Sequence, residues 1–194
     1  MPPSLWPMSA LVPTHPITLQ EYWALDLAGD DGAPLCTELV AGMVVVSPPP
    51  GGPHQVATGE LTAALLAGCP VGFRVIPGAG WVVTDAPQAT LRIPDVMVVT
   101  DAQARLVRMT EPPLLAVEVV SRATSVERDL VTKRREYAEA GCVHYWVVLP
   151  DRPELIRFRL DDRVYVEAGR TTGRRRVRVT APYVVTVDLA RLVV

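Results

Sequence analysis

The segment LLAVEVVSRATSVERDLVTKRREYAEAGCVHYWVV, residues 114–148, determines how we interpret the fold. It begins with an apolar run around Glu118 and ends with VHYWVV, and both runs have the composition of strands that are buried on two faces. Between them lie the signals of a helix, with Thr124 as N-cap, Glu127 at the capping-box position and Gly141 as the terminating residue. A strand, a helix and a second buried strand in this order indicate an α/β domain.

The helix of this segment carries a lysine on its apolar side. One stripe of residues is spaced by 4, 3, 4 and 3 positions, and it consists of Val126, Leu130, Lys133, Tyr137 and Ala140. Because such a stripe faces the core in an amphipathic helix, Lys133 is predicted to point inward. The alternative is a lysine that extends from the edge of the stripe to solvent.

The rest of the sequence supplies further strands and two more helices. A capping box at Thr18 and Glu21 predicts a short helix in PITLQEYWALD. Apolar spacing through Val56, Leu61 and Leu65 predicts a longer helix in HQVATGELTAALLAG. Strands are predicted in the hairpin CTELVAGMVVVS, which turns at Ala41-Gly42, and in GFRVIP, GWVVTD, LRIPDVMVVT, ELIRFRL, RVYVEA, RRRVRVT and YVVTVDLA. We therefore expect an α/β fold in which helices flank a mixed central β-sheet.

Length and composition limit the classes of protein to consider. The chain has 194 residues, of which 49% are hydrophobic and 21% charged, as in a folded globular domain. Prolines crowd its beginning, so we expect a flexible N-terminal arm at 1–16 and a single domain at 17–194. No apolar stretch approaches the ~20 residues of a membrane-spanning helix, and the N-terminus does not resemble a secretion signal.

Charge and cysteine content narrow the choice further. The net charge of −2 argues against a protein that coats nucleic acid nonspecifically. Cys36, Cys69 and Cys142 are far apart and form no CxxC pair, so we expect reduced thiols in a cytoplasmic protein. The alternative, a cysteine nucleophile, would need a partner histidine, and no local pattern supports that pairing. The run Arg174-Arg175-Arg176 is either a phosphate-contacting patch or a solvated turn, and the low net charge favours the turn.

Three ionisable residues fall where the pattern predicts burial. Asp95 follows a proline at the start of an apolar strand, Glu118 lies near the end of the next long strand, and Lys133 is on the apolar stripe. A buried carboxylate costs several kcal/mol unless a cation or hydrogen-bond donors meet it. Two carboxylates and an ammonium can compensate one another's charge. They are also what metal-assisted phosphodiester hydrolysis needs, because carboxylate oxygens hold Mg²⁺ and a cation stabilises charge on the phosphate.

The blocks that contain these residues resemble a known family. RIPDVMVV, CTELVAGMVVVSPPPGGPHQ and the segment 114–148 are similar to successive blocks of the Uma-two family. That family has a restriction-endonuclease-like fold and belongs to the PD-(D/E)xK nuclease superfamily. The resemblance runs from about Ile17 to VTVDLARL near the C-terminus. It implies an endonuclease that acts on DNA, depends on Mg²⁺ or Mn²⁺ and forms a homodimer.

The resemblance also implies which residues form the site. Asp95 matches the aspartate after proline, Glu118 the acid of the second core strand, and Glu38 a further glutamate of the same site. These three are implied to bind or support the metal. The simplest motif has lysine two residues after the second acid, where this chain has Val120. The family places the lysine on the following helix, where Lys133 matches it and would position the nucleophilic water.

Each acid also has a structural interpretation. Asp95 fits an ordinary strand or turn start after proline, and Glu38 fits an exposed strand position. Glu118 fits a buried ion pair, with Arg92 or Arg74 as the cation. On this interpretation the chain is a non-catalytic module of the same fold that binds nucleic acid or protein. A sugar or nucleotide enzyme ranks last, because the sequence has no phosphate-binding loop.

Further polar residues near these blocks have open roles. His54 follows the hairpin prolines and resembles a histidine commonly seen there, but a lone histidine at a helix start is more often a cap or surface residue. Ser121 is expected to hydrogen-bond the backbone at its strand end. Asp129 and Tyr137, each four residues from Lys133, either orient its ammonium or are ordinary neighbours on the helix.

Overall fold

The computed structural model describes residues 13–29, 32–120 and 128–193, and for 128 and 129 only the backbone. Several predictions therefore lie outside the described residues. They concern most of the N-terminal arm at 1–16, the hydrogen bond of Ser121, the cap at Thr124 and Glu127, the stripe position of Val126, and the side chain of Asp129.

The chain divides into two compact units. The smaller comprises the residues up to Pro49 together with Thr84–Arg92, and the larger comprises Pro50–Val83 and Ile93–Val194. This division into compact units does not test the predicted single domain at 17–194, which stays a prediction. In the described part of the chain, no helix combines the length and apolar character needed to cross a membrane.

The secondary structure follows the predicted order of elements. The α-helices are α1 (Leu19–Ala24), α2 (Gly52–Gly68) and α3 (Lys133–Glu139). A 3₁₀ turn spans Gln103–Arg105, and a π-helical turn, Arg128–Thr132, leads into α3. The strands are β1 (Cys36–Val40), β2 (Met43–Ser47), β3 (Phe73–Pro77), β4 (Trp81–Thr84), β5 (Thr90–Arg92), β6 (Val96–Thr100), β7 (Leu115–Val119), β8 (His144–Leu149), β9 (Glu154–Asp161), β10 (Val164–Thr172), β11 (Arg176–Val179) and β12 (Val185–Asp188).

The larger unit is built on a six-stranded sheet in the order β10-β9-β8-β7-β6-β3. Strands β7 and β8 are parallel, and the other neighbours are antiparallel. Parallel strands need a long crossover connection, and the helical segment that ends in α3 provides it between β7 and β8. The predicted mixed sheet with flanking helices is thereby confirmed.

Side chains of β7 alternate between two apolar clusters on opposite faces of this sheet. Leu115, Val117 and Val119 join a cluster that includes residues of α2 and of the β11–β12 hairpin. Ala116 and Val120 join the other cluster, which includes residues of α3. Because successive side chains of a strand point to opposite faces, position 118 belongs to the face that α3 covers.

The stretch LRIPDVMVVT was predicted as one strand, and the structure corrects this. It forms two strands, β5 and β6, with Ile93-Pro94 and Asp95 between them. Proline has no N–H to donate to a ladder, so the strand breaks at Pro94. Asp95 therefore lies directly before β6, at the end of the strand that pairs with β7.

The apolar stripe of α2 was predicted correctly at Leu61 and Leu65 and wrongly at Val56. Val56 is exposed, whereas Ala57, Leu61 and Leu65 are fully buried in the cluster of that face. Spacings of four residues from Ala57 onward give the true stripe. Val56 was assigned to the stripe because valine is more hydrophobic than the adjacent Ala57.

In the smaller unit, β1 pairs antiparallel with β2 through the predicted two-residue turn. Both turn residues have positive φ, 49° at Ala41 and 79° at Gly42, as a type I′ hairpin requires. Glycine is required at the second position, since a Cβ there would lie 2.8 Å from the Cβ of Pro16. Alanine at the first position is strained, because only Gly, Asn and Asp adopt this region readily.

Replacing Ala41 by asparagine is expected to raise the free energy of unfolding by about 0.5–1 kcal/mol, because asparagine tolerates the left-handed region. Urea denaturation of wild type and variant measures the change. The same substitution at Ala67, which is exposed within α2, serves as the control and should lower stability, because asparagine is a poor helix former. A loss of stability at both positions would contradict the assigned turn strain.

Candidate functional site

Asp95 and Glu118 lie at the same end of the β6–β7 ladder. Val96 pairs with Val117 in antiparallel register, and continuing that register by one residue sets Asp95 opposite Glu118. The Oδ2 atom of Asp95 accepts the backbone N–H of Val119 at 2.6 Å, which ties this side chain to β7 beside Glu118. The structure thus places Asp95 against the strand that carries Glu118, although the sequence presented the two acids in separate blocks.

Glu118 is buried and both of its carboxylate oxygens accept hydrogen bonds from α3. Lys133 donates from Nζ to Oε2 at 2.8 Å, and Tyr137 donates from its hydroxyl to Oε1 at 2.7 Å. Glu118 and Lys133 are each 3% exposed. Lys133 therefore points inward as predicted, and the alternative in which it extends to solvent is wrong.

The cations first considered for Glu118 contact other acids. Arg92 Nη1 lies 3.0 Å from Glu38 Oε2, and Arg74 Nε lies 3.0 Å from Asp101 Oδ1. Lys133 reaches Glu118 because Lys133 begins α3, and α3 covers the face of the sheet to which the side chain of Glu118 points. Spacing within one strand does not reveal that proximity, whereas the inward stripe of the helix does.

The hydroxyl of Tyr137 is held in place by other aromatic rings. Its ring centroid lies 5.0 Å from that of Trp81 and 5.3 Å from that of Tyr145, and the second contact is edge-to-face. Tyr137 and Tyr145 are fully buried. The sequence left Tyr137 either as a residue that orients Lys133 or as an ordinary helix neighbour. The structure shows a different role, because its hydroxyl orients the carboxylate of Glu118.

Removing this hydroxyl in Tyr137→Phe is expected to lower the free energy of unfolding by about 1–3 kcal/mol, because a buried carboxylate oxygen loses its donor. Guanidinium denaturation measures the loss. In a Glu118→Gln background the same substitution should cost less, because the acceptor no longer carries a charge. An equal cost in both backgrounds would show that the hydroxyl and Glu118 do not interact.

Asp95 is less enclosed than Glu118, and a histidine contacts it. His54 Nε2 lies 3.2 Å from Asp95 Oδ1, and the side chains are 12% and 21% exposed. Thr58 Oγ1 lies 3.4 Å from His54 Nδ1 on the next turn of α2. An ordinary strand start after Pro94 would not require these contacts, so Asp95 belongs to a connected polar group.

His54 is the site residue that the sequence reasoning missed as a contact of Asp95. The missed signal is spacing along α2, because His54 lies seven residues before Leu61, which was already predicted to face inward. Counting back from the true stripe, Leu65, Leu61 and Ala57, gives His54 at the next position. A histidine on the inward stripe at a helix start is a candidate site residue, whereas one on the outer face is not.

Glu38 lies in the smaller unit, on β1. It is 7% exposed, so its interpretation as an exposed strand residue is wrong. Its ion pair with Arg92, itself 2% exposed, accounts for its burial. Asp95, Glu118 and Lys133 are assembled within the larger unit, and support of the same site by Glu38 stays a prediction.

The arginine run and the cysteines lie apart from this chemistry. Arg174, Arg175 and Arg176 are exposed, in keeping with the solvated turn, and Arg176 pairs with Asp188 at 2.8 Å. All three cysteines are free thiols. Burial raises the pKa of the Cys142 thiol to about 12, which suppresses the thiolate that nucleophilic attack needs.

The donor set at Asp95 and Glu118 suits a hard divalent cation. Mg²⁺ is usually held by one or two carboxylates and completes its shell with waters and phosphate oxygens. Two carboxylates, one on β7 and one directly before β6, supply that minimum, and the partial exposure of Asp95 gives a cation access. Among the residues that the structure describes, no three His, Cys, Asp or Glu side chains form a group suited to holding a metal ion.

Comparisons with known proteins agree with this fold. A family model named Uma2, described as "Putative restriction endonuclease", matches residues 19–189. Among solved structures, one described as "a putative nuclease belonging to DUF820" from Anabaena variabilis ATCC 29413 superposes with a TM-score of 0.69 at 15% identity. The match covers 91% of this chain and 97% of that one, and it shows that the two share a fold. A search of curated proteins found no match.

Proposed function

The chain belongs to the Uma2 family, and on that premise we propose that it is a metal-dependent endonuclease that hydrolyses DNA phosphodiester bonds. The proposed PD-(D/E)xK-type site consists of Asp95, Glu118 and Lys133, with Glu38 as a further support. One observation carries the proposal. Asp95 accepts the backbone N–H of Val119, the residue after Glu118 on β7, and the ammonium of Lys133 lies 2.8 Å from the carboxylate of Glu118. The family description supports a nucleic-acid substrate in general terms.

The charge of the site favours a cation. Asp95 and Glu118 carry two negative charges and Lys133 one positive charge, so the group is negative by one unit when His54 is neutral. Mg²⁺ or Mn²⁺ is the proposed cofactor, held by Asp95 and Glu118. When bound, it would supply a water of lowered pKa and neutralise charge on the scissile phosphate.

The protein residues contribute position and charge. Lys133 is held by Glu118 in a water-poor environment, where an ammonium stabilises developing phosphate charge more strongly than in solvent. It is the proposed residue for orienting the attacking water. Tyr137 fixes the carboxylate of Glu118, and the N–H of Val119 fixes that of Asp95. Such fixed groups need little reorganisation during the reaction.

Metal binding is the first test of this function. Mn²⁺ or Mg²⁺ at about 100 times its Kd should stabilise the wild type by about 2.7 kcal/mol, which raises Tm by about 5–10 °C for a domain of this size. Asp95→Asn should lose this rise, because it removes a charged ligand. Thermal-shift titrations of both proteins, with Asp161→Asn as the exposed control, measure the effect. No rise in the wild type would contradict the proposal.

A second candidate is a non-catalytic nucleic-acid-binding or protein-binding module of the same fold. The observation that favours it is that protein donors already meet both oxygens of Glu118, so its charge is compensated without a metal. This module should be indifferent to divalent cations in the same titration. It should also cleave neither plasmid nor single-stranded DNA with any metal.

Two further properties remain proposals from the family resemblance. A homodimer would join two surfaces, and sedimentation equilibrium of the purified chain measures whether it forms. DNA rather than RNA is the proposed substrate, and the low net charge of −2 suggests that a local groove or a partner provides the contact with the backbone. A cytoplasmic location is proposed separately, from three widely spaced cysteines that the sequence predicts to be reduced.

A further inference from the structure

His54 lies where a residue that orients Asp95 would have to be. It is the third residue of α2, whose Ala57, Leu61 and Leu65 are packed without exposure in the cluster that includes β6 and β7. The position of His54 is thus set by a helix anchored to the same strands that carry the acids. Its ring does not depend on a surface loop for its placement.

Both nitrogens of the ring have partners. Nε2 is 3.2 Å from Asp95 Oδ1, and Nδ1 is 3.4 Å from Thr58 Oγ1. In the neutral ring, Nε2–H donates to Asp95 while Nδ1 accepts from the Thr58 hydroxyl. Thr58 is itself 9% exposed, and its carbonyl accepts a hydrogen bond from the Thr62 hydroxyl at 2.7 Å. The rotation of the ring is therefore restricted at both ends.

The two contacts of Asp95 define the plane of its carboxylate. Val119 N–H meets Oδ2 at 2.6 Å, and His54 meets Oδ1 at 3.2 Å. A carboxylate has about four lone-pair positions, so one remains on each oxygen for a cation. A carboxylate held at both oxygens presents those positions in one direction, whereas a carboxylate held at one oxygen rotates.

We propose that His54, supported by Thr58, is a positioning residue that orients the carboxylate of Asp95 for a divalent cation. The inference rests on the proposed function, because it takes Asp95 as a ligand. Residues that hydrogen-bond a ligand from behind typically change metal affinity by about 10–100-fold when removed. His54 itself does not bind the metal or the substrate.

The test is Mn²⁺ affinity by isothermal titration calorimetry, with the metal-free Tm of each protein as the measure of fold. His54→Ala should weaken the Kd for Mn²⁺ by about 10–100-fold. His54→Gln should restore most of the affinity, since its amide N–H reaches the place of Nε2–H. His15→Ala, in an exposed histidine, should bind as the wild type does.

Thr58→Val keeps His54 in place, so it tests the same role even if His54→Ala fails to fold. It should weaken the Kd by a few-fold, since one end of the ring is released. A wild-type Kd in folded His54→Ala, or a loss that His54→Gln does not restore at unchanged Tm, overturns the positioning role while the metal site stands. A wild type that binds no Mn²⁺ overturns both, and it is recognised because Asp95→Asn then changes nothing either.

Discussion

Lys133→Met is expected to lower the free energy of unfolding by about 3–5 kcal/mol, because it leaves the buried charge of Glu118 without its cation. The side chains of Lys133 and Glu118 are each 4% exposed and 2.8 Å apart, so water cannot replace the lost partner. Methionine keeps the length of the lysine stem, and the loss therefore reports charge more than packing. Guanidinium denaturation followed by circular dichroism measures it.

Two further variants isolate the charge. Lys133→Met with Glu118→Gln should recover most of the loss, since a buried ion pair replaced on both sides is often close to neutral. Arg135→Met removes a cation from the same helix, but its contact with Glu139 is 4.0 Å long and largely exposed, so little should change. A Lys133→Met variant as stable as Arg135→Met would show that Glu118 does not depend on Lys133.

Local periodicity was sufficient to predict the elements of the site. The β7 and β8 runs are apolar on both faces, and the stripe of α3 places Lys133 inside because the period of 3.6 residues fixes the direction of each side chain. The hairpin turn at Ala41-Gly42 was likewise predicted from neighbouring residues alone. In each case the local structure is determined by residues that lie within a few positions of one another in the sequence.

The contacts between elements required the fold itself. That Lys133 meets Glu118 and that Arg92 meets Glu38 depends on which strands and helices are neighbours, and spacing along the chain does not encode it. The contact of His54 with Asp95 was lost for a smaller reason. The sequence prediction placed Leu61 on the inward stripe of α2 but did not extend the stripe back to His54, which lies seven residues, about two turns, before it.

Asp95→Asn is expected to reduce DNA cleavage by about 10²–10³-fold, because it removes the charge of the more accessible proposed metal ligand. A metal contributes several kcal/mol to stabilising the transition state, and each 1.36 kcal/mol is a tenfold change in rate. The fold should survive, since the amide oxygen of asparagine still accepts the N–H of Val119. Plasmid nicking with Mn²⁺, under conditions where the wild type turns over, measures the rate.

This substitution also distinguishes cleavage by this protein from cleavage by a contaminating nuclease. Asp95→Asn and Asp161→Asn differ from the wild type by the same change of one carboxylate to an amide, and Asp161 is exposed at the end of β9. When the three proteins are purified identically, a contaminant gives three equal rates. Cleavage by this site gives a rate that falls only in Asp95→Asn. Equal rates would remove Asp95 from the chemistry, whereas a loss in both variants would point to general charge effects on DNA binding, because removing either carboxylate alters net charge equally.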